Sequence, residues 1–462
     1  MKKIILTVAM LVAIATASYA QSNTSTVNQS TGERNTANIT QAGNLNTATV
    51  TQTTASTTDN KATIDQTGKS NAATISEKGT FNEVTITQTG VQTPASSHEA
   101  TVTIAGAGSS LNAVTITQAG QDMESSVVLN GSTNTIGFNQ SGLGNQAKLV
   151  ANVGTNSDNI ISITQAGTTN QTYAKVAGNT NTILVGQAGT SNKIGTFAGT
   201  GNVTLTNSRT AGPAPITTGK LNNGLIDILG GIGVTGNQNS VAVNQDPTTT
   251  LNEVAIKIDG ANQNSATVSQ LGMAESNKAA IWVAAGSTNN MATIEQTGSA
   301  EGNEAGIYQG GSDDIAKIVQ TGMNNKAMTS QVASTITGSN NATITQSGNG
   351  NLGWIEQDGL AGSTATITQE SNLNTAEIRQ TADGGHTANL TQKSVDGQRF
   401  VLVQEGTGHT LNFTQSGVGV GKAFPSDVEL VQTGTNNTIN GQTGNTAQVR
   451  FVQVGNNNVI GF

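Results

Sequence analysis

One seven-residue pattern recurs along most of the chain and limits the folds that the chain can adopt. The pattern has the form Asn-x-Ala-x-Ile-x-Gln, and a four-residue spacer joins the copies at Asn35–Gln41 and Asn46–Gln52. Asn, Ala, Ile and Gln fall on every second position, whereas mostly Thr, Ser, Asn, Lys and Glu fill the others. Because successive side chains of a β-strand point to opposite faces, this alternation predicts strands with one buried face. It excludes a helix, which would scatter the Ile residues around its circumference.

The copy at residues 340–346 shows which side chains we expect inside. Every second residue from Asn340 to Gln346 is predicted to face inwards, whereas Thr343 and Thr345 face solvent. Thr-Gly, Ala-Gly or Ser-Gly pairs follow many of the glutamines, and glycine adopts the positive φ that a tight reversal needs. We therefore expect a turn after each strand, and this order of strand and turn is typical of all-β chains.

A single pair of such strands cannot bury its inward face, and this decides the predicted architecture. Stacking the pairs gives every strand hydrogen-bonding partners above and below. We predict an all-β fold, a flattened β-solenoid of stacked two-strand rungs. Inward Asn and Gln side chains then lie over their copies in neighbouring rungs, where each amide donates to one neighbour and accepts from the other. The predicted self-assembly ladder consists of Asn35, Gln41, Asn46, Gln52, Asn82, Gln88, Asn112, Gln118, Asn264, Gln270, Asn290, Gln296, Asn325, Gln331, Asn340, Gln346, Asn351, Gln357, Asn374 and Gln380.

Composition narrows the classes of protein to which the chain can belong. It has no cysteine, 3% aromatic residues and 10% charged residues. Disulfides therefore contribute nothing to stability, and the low charge argues against an ordinary disordered chain. The formal net charge of -8, with no basic cluster, argues against binding to nucleic acid.

The first twenty residues predict export. Lys2 and Lys3 precede an apolar run that ends at Ala17, and Ala20 follows as a small residue at a cleavage position. This is the order of a secretory signal peptide, residues 1–20. The apolar run is too short to span a bilayer comfortably, and no second candidate follows. We expect a secreted mature chain without a transmembrane segment.

Catalytic or metal-binding chemistry has little support in the sequence. The three histidines are His98, His386 and His409. None has a Cys, another His or a carboxylate nearby at ligand spacing, so we interpret them as substitutes for Asn at turn edges. No catalytic, cofactor or metal site is predicted, and the protein is predicted not to be an enzyme.

The spacing Asn/Ser-x5-Gln-x4-Asn-x5-Gln resembles the curlin repeat. It occurs at residues 35–52, 340–357 and 363–380, among others. The resemblance implies β-solenoid subunits of curli, the extracellular amyloid fibres of bacterial biofilms. It also implies secretion of an unfolded chain through an outer-membrane pore and polymerisation on a nucleator at the cell surface. We therefore expect a structural fibre subunit with a role in biofilm matrix, adhesion and aggregation, whose partners are copies of itself, a nucleator and a secretion pore.

Irregular stretches suggest how the repeats are divided. Pro213 and Pro215 cannot join an interior ladder, so residues 199–238 are predicted to form an irregular rung or a looped-out insertion between repeats at 21–198 and 239–462. The sequence ends on a further strand unit without a visible cap, which we expect to favour polymerisation. Non-glutamine residues at glutamine positions are expected to be isolated breaks in the ladder; they are Glu77, Ala151, Val176, Ile258 and Val283.

A second hypothesis is a monomeric β-solenoid that serves as a surface adhesin or ice-binding module. Outward Thr-x-Thr pairs such as Thr343 and Thr345 favour it, although charged residues interrupt the array. The alternation places four aromatic residues inwards: Phe138, Phe400, Phe413 and Phe451. It places four others outwards, where they could act as adhesive or sugar-stacking contacts: Tyr173, Trp282, Tyr308 and Trp354.

Overall fold

The structure is a computed structural model. It describes residues 22–30, 33–53, 58–90, 97–106, 108–153, 157–194, 203–205, 226–228, 232–332, 339–393, 396–416, 427–443 and 448–461. The predicted signal peptide lies outside these residues. Within them no helix is long and apolar enough to cross a membrane. Two compact units divide the chain, residues 1–191 and 192–462, and each is described by itself.

The first unit is a stack of strand pairs in which each strand hydrogen-bonds to the strand two places along the chain. Its strands are β1 (Thr24–Gln29), β2 (Thr36–Asn44), β3 (Thr47–Gln52), β4 (Lys61–Lys69), β5 (Ala72–Glu77), β6 (Glu83–Gly90), β7 (Glu99–Ile104), β8 (Ala113–Gln121), β9 (Glu124–Leu129), β10 (Thr135–Leu143), β11 (Gln146–Val153), β12 (Ile160–Gln165), β13 (Gln171–Ala177) and β14 (Thr182–Gln187). Odd-numbered strands from β1 to β13 form sheet 1, and even-numbered strands from β2 to β14 form sheet 2. The pairs are parallel, and equivalent residues lie opposite one another, as Gln41 lies opposite Gln66 and Gln66 opposite Gln88.

The second unit repeats this arrangement. Its strands are β15 (Lys193–Ile194), β16 (Val203–Leu205), β17 (Ile226–Ile228), β18 (Ile232–Thr235), β19 (Ser240–Gln245), β20 (Glu253–Ile258), β21 (Ser265–Leu271), β22 (Lys278–Val283), β23 (Met291–Glu301), β24 (Glu304–Gln309), β25 (Ile315–Met323), β26 (Lys326–Val332), β27 (Asn341–Ser347), β28 (Leu352–Ala361), β29 (Thr364–Gln369), β30 (Thr375–Gly384), β31 (Thr387–Lys393), β32 (Arg399–Thr407), β33 (Thr410–Ser416), β34 (Asp427–Thr435), β35 (Thr438–Thr443), β36 (Gln448–Asn456) and β37 (Val459–Gly461). Sheet 3 contains β15, β18 and the even-numbered strands from β20 to β36, and sheet 4 contains the odd-numbered strands from β19 to β37. Two parallel strands per turn confirm the predicted β-solenoid.

Side-chain alternation places the core between the two sheets of each unit. In β27 and the residue before it, Asn340, Ala342, Ile344 and Gln346 are buried, whereas Asn341 is exposed. The predicted parity of this copy is therefore confirmed. Burial of one Ile side chain stabilises the fold by roughly 1.5–3 kcal/mol, and Ala at the neighbouring inward position keeps the two sheets close together.

Many turns use two residues with positive φ, of which the sequence predicted one. Gly43 has φ 105°, and a Cβ at this position would lie 1.9 Å from the carbonyl oxygen of Gly68 in the next turn of the stack. Only glycine fits such a close backbone contact. The second position is the residue just before the inward Asn, such as Leu45 with φ 60° and Leu111 with φ 56°. Leu and Phe at such sites gave no turn signal in the sequence, because positive φ is uncommon for bulky residues.

An insertion interrupts one strand line of the second unit. β15 places Ile194 opposite Val254 in β20, and β18 places Ile232 opposite Ile256 of the same strand. The chain therefore leaves this line after Ile194 and returns to it at Ile232. The segment between them carries β16 and β17, which pair with each other antiparallel and lie against β20, β22 and β24. Pro213 and Pro215 lie outside the described residues.

Candidate functional site: the buried amide columns

The last inward residue of each strand lies over its equivalent in the next turn, and in sheets 2 and 4 these residues form glutamine columns. In sheet 2, Gln41 Nε2 donates to Gln66 Oε1 at 2.8 Å, and Gln66 Nε2 donates to Gln88 Oε1 at 2.8 Å. The sheet 2 column contains Gln41, Gln66, Gln88, Gln118, Gln140, Gln165 and Gln187. The sheet 4 column contains Gln245, Gln270, Gln296, Gln320, Gln346, Gln369, Gln392 and Gln415.

The glutamine amides also tie the two sheets of a unit together. Gln66 Nε2 donates to the carbonyl oxygen of Thr47 in sheet 1 at 3.0 Å. In the second unit Gln346 Nε2 donates to the carbonyl oxygen of Lys326 in sheet 3 at 2.9 Å. Each amide nitrogen thus has one acceptor along the stack and another across it, so a buried group that would otherwise cost about 1–3 kcal/mol is satisfied.

The asparagines form columns of a different kind. Asn60 and Asn82 each donate a backbone N–H to the side-chain oxygen of the Asn one turn earlier, and the Asn82 bond to Asn60 Oδ1 measures 2.9 Å. The Nδ2 groups bind turn carbonyls, as Asn46 Nδ2 binds Ala42 O at 3.1 Å. Direct amide–amide bonds also occur, for example from Asn112 Nδ2 to Asn82 Oδ1 at 2.8 Å. The Asn side chain therefore holds the turn through the backbone, and it compensates for the positive φ of the preceding residue.

All the predicted ladder residues face inwards, and all except the half-buried Gln41 are buried. Strand register brings them into columns with other residues that the sequence analysis did not single out, although the same alternation could have found them. Such residues include Asn60, Gln66, Asn71, Asn134, Gln140, Asn145, Asn159, Gln165, Asn170, Gln320, Gln369, Gln392, Gln404 and Gln432. The function of the columns in self-assembly stays a prediction.

The glutamine columns have a direction. In every glutamine pair described above, Nε2 of the residue earlier in the sequence donates to Oε1 of the later one, and the same holds in sheet 3 from Gln309 to Gln453. One side of each turn therefore presents amide oxygens, and the other side presents amide N–H groups. The two ends of a glutamine column therefore differ chemically.

The breaks in the columns are consecutive, which corrects the expectation of isolated breaks. In sheet 1 the column passes from Gln52 to Glu77 and then to the apolar Ile104, Leu129 and Ala151, and Val176 ends the inward run of β13. In sheet 3, Ile258 and Val283 precede Gln309. In both columns a run of Gln or Glu residues borders a run of apolar residues. At these borders, Glu77 Oε1 and Gln309 Oε1 have no hydrogen-bond partner in the described part of the chain.

Two carboxylates occupy amide positions in the core. Glu77 accepts a 2.6 Å hydrogen bond at Oε2 from Gln52 Nε2, and burial raises the pKa of its carboxyl from 4.5 to about 7. Asp314 replaces an asparagine and accepts the backbone N–H of Asn340 at 2.9 Å. Burial raises the pKa of the Asp314 carboxyl to about 6. Ionisation of either carboxyl near neutral pH therefore lowers the free energy of unfolding.

The histidines take over the role of asparagine, as predicted. His386 Nδ1 accepts the backbone N–H of His409, and His409 Nδ1 accepts that of Asn437, both at 3.2 Å. The His386 and His409 rings are stacked at 5.1 Å. Burial lowers the pKa of His386 to about 4 and also lowers that of His98. No group of three or more His, Cys, Asp or Glu side chains suited to a metal ion occurs among the described residues.

The aromatic residues lie on the predicted sides of their strands, but the outward ones are less exposed than expected. Phe138, Phe400 and Phe413 are buried in the core as expected, and Phe451 is half-buried. Tyr173, Trp282, Tyr308 and Trp354 occupy outward positions on their strands, but Tyr173 and Trp354 are buried and the other two are half-buried. These side chains are not freely exposed adhesive contacts.

Comparison with known proteins agrees with this geometry. The family model of the curlin associated repeat matches residues 32–58 and 57–90, which span β2 to β6. No curated protein matches the chain. Columns of the same kind also occur outside the matched residues, for example from Gln432 to Gln453. Residues 32–90 therefore match the curlin associated repeat, the family that the Asn and Gln spacing resembles.

Proposed function

We propose that this protein is a structural subunit of an extracellular, curli-like amyloid fibre. The observation that carries the proposal is the common direction of the glutamine columns. A turn that ends the stack presents either amide oxygens or amide N–H groups, and the opposite end of a second copy supplies the complementary set. Adding a copy end to end repeats the contact between neighbouring turns within one chain.

An end turn without a further copy leaves backbone and side-chain hydrogen-bonding groups without a protein partner. Each end turn carries unpaired strand edges together with inward Gln and Asn side chains, and Gln29 of β1 is exposed whereas the equivalent Gln52 of β3 is buried. A further copy would bury such a side chain and supply its amide with a partner, as the next turn does within one chain. Because the two ends differ, the contact between copies is head-to-tail, and a head-to-tail contact that does not close into a ring gives an open filament. Solvent-exposed strand edges also favour pairing with another chain.

Secretion, a nucleator, an outer-membrane pore and a role in biofilm matrix and adhesion are part of the same proposal. They follow from the resemblance to curli subunits and from the signal-peptide pattern of residues 1–20. In this proposal the columns act as templates: an arriving chain forms its first turn on the open amides of the fibre end, and the further turns stack on that one.

The test is polymerisation of the purified mature chain. We expect fibres that bind thioflavin, show a reflection near ~4.8 Å along the fibre axis, and shorten the lag phase when sonicated fibres are added. A chain that folds but stays monomeric for days at high concentration, with or without such seeds, would contradict the proposal.

One observation favours a second candidate function, a monomeric adhesin or ice-binding module. The outward first, third and fifth residues of β27, β29, β31, β33 and β35 are all uncharged, and most are Thr or Asn. The charges that interrupt the Thr array therefore lie away from these strands on sheet 4. Ice shaping by folded monomers that Thr366→Lys abolishes would support this function instead of the fibre.

A further inference from the structure

One stripe of outward residues on sheet 3 is buried. It runs through the third residues of β20, β22, β24, β26 and β28, which lie opposite one another in register. This outer stripe consists of Ala255, Ala280, Gly306, Met328 and Trp354. The exposed fraction is 0% for Ala255 and Ala280, 2% for Met328 and 7% for Trp354, although strand parity directs all five away from the core.

The equivalent residues on the other sheet of the same turns are not covered in this way. Thr267, Thr293, Lys317 and Thr343 occupy the third positions of β21 to β27 in sheet 4, and all four are half-buried. Position within a strand therefore does not explain the burial of the outer stripe. A segment of chain must cover the outer face of sheet 3.

Part of that cover is the antiparallel pair β16–β17. These two strands lie against β20, β22 and β24, and the third residues of those strands are Ala255, Ala280 and Gly306. Three residues without bulky side chains in adjacent turns let another backbone approach the sheet closely. The insertion that carries the pair leaves the strand line after Ile194, opposite Val254 and next to Ala255. The smallest outward residues thus lie where the insertion leaves the stack.

Larger apolar side chains continue the stripe beyond these small residues. Met328 and Trp354 pack with Ala255 and Ala280 in one cluster, and Trp282 and Leu352 pack against it. The indole nitrogens of Trp282 and Trp354 are buried and have no hydrogen-bond partner among the described residues. The Lys257 ammonium lies 5.0 Å from the centroid of the Trp282 ring, so the cluster also has a charged neighbour at its edge.

We propose that the outer stripe is a docking surface for the chain's own insertion, residues 195–231, through the pair β16–β17. The docked pair shields an apolar, aromatic face that otherwise associates with the same face of a second copy. A contiguous exposed apolar patch of this kind is a typical site of association between proteins. Docking therefore restricts contacts between copies to the ends of the stack, and side-to-side association requires release of the insertion.

The first test replaces Ala280 by Glu in the full-length mature chain. Arg209 and Lys220 lie in the insertion and provide trypsin sites. We expect Ala280→Glu to increase the rate of cleavage after these residues at least about tenfold, which corresponds to a loss of roughly 1.4 kcal/mol of docking free energy. The matched control is Thr293→Glu, at the third position of β23 on the other sheet of the same turn, and we expect it to leave the rate unchanged. Equal rates in the two variants would overturn the proposal.

A second variant keeps the test decisive if Ala280→Glu fails to fold. Ile194 and Ile232 pair with residues that lie two positions apart in β20. Replacing residues 195–231 by one alanine therefore completes the strand opposite Ala255. We expect this variant to keep its β-sheet circular dichroism and to show red-shifted Trp emission from Trp282 and Trp354. In sedimentation velocity it should form larger species at concentrations where the parent chain is monomeric. Unshifted emission and unchanged sedimentation would show that the insertion shields nothing.

Discussion

Replacing Glu77 by Gln should stabilise the first unit in a manner that depends on pH. Glu77 is 1% exposed and ends the polar part of the sheet 1 column, with Gln52 on one side and Ile104 on the other. Gln52 Nε2 donates to Oε2, whereas Oε1 has no partner among the described residues. Burial raises the pKa from 4.5 to about 7, so ionisation of Glu77 opposes folding near neutral pH.

The magnitude follows from this shift in pKa. A folded-state pKa above the unfolded value means that the carboxyl is neutral in both states below about pH 4.5 and causes no loss there. Between pH 4.5 and 7 the unfolded chain ionises first, and the free energy of unfolding falls with pH until both states are ionised. A shift of about 2.5 units corresponds to roughly 3 kcal/mol above pH 7. Glu77→Gln removes this loss, so we expect a gain of up to about 3 kcal/mol at pH 8 and almost none at pH 4.

Hydrogen exchange of the backbone amides in β5 measures this gain locally. A gain of about 3 kcal/mol raises the protection factor roughly a hundredfold at pH 8. The matched control is Glu83→Gln in β6, because the Glu83 side chain is exposed and its ion pair with Lys61 is worth about 0–1 kcal/mol. Equal gains at pH 4 and pH 8 for Glu77→Gln, or equal gains for both variants at pH 8, would refute the role assigned to burial.

Three further perturbations test the columns and turns. Gln346→Ala with Gln357→Ala should slow fibre growth, followed by thioflavin fluorescence, more than Thr343→Ala with Thr345→Ala, because each lost amide leaves neighbours unsatisfied at about 1–3 kcal/mol; equal slowing would count against the inward columns. His386→Asn should increase stability at acid pH: burial lowers the His386 pKa from 6.5 to about 4, so the wild type loses up to about 3 kcal/mol as pH falls from 6.5 through 4, and a variant with the same acid midpoint by circular dichroism would contradict this. Gly43→Ala should destabilise the first unit by more than about 1 kcal/mol in denaturant titration, because its φ is 105°; Gly137→Ala, at a site with no atom within 4 Å of the added Cβ, is the control and should be nearly neutral.

Period-two alternation was sufficient to predict the strands, their inward faces and the glutamine columns. The rule that places Ile344 and Gln346 in the core applies to almost every copy, because stacking gives each copy the same surroundings. The role of asparagine was predicted only in part, since its hydrogen bonds depend on the path of the turn. Leu45 and Leu111 adopt positive φ there, and neither residue type indicates such a conformation.

Burial of the outward Trp354 could not be predicted from the alternation. Parity decides on which side of a strand a side chain lies, but it does not indicate whether another segment covers that side. Trp354 packs in one cluster with Ala255 and Ala280, which lie far from it in the sequence. A partial signal was present, because Ala255, Ala280 and Gly306 interrupt the polar residues typical of outward positions in successive turns.

The runs of apolar residues in the glutamine columns have a common physical cause. One apolar residue within a column leaves two amides without a partner along the stack, and a run of several such residues leaves the same two. Replacing both partners of a buried hydrogen bond by apolar groups is nearly neutral, whereas replacing one costs about 1–3 kcal/mol. Extending the break from Ile104 to Leu129 and Ala151 therefore adds little cost, and each apolar residue contributes its own burial. By this reasoning the amide columns contribute less to the stability of a turn than to its register. A turn shifted along its strands would place glutamine against an apolar residue of the neighbouring turn.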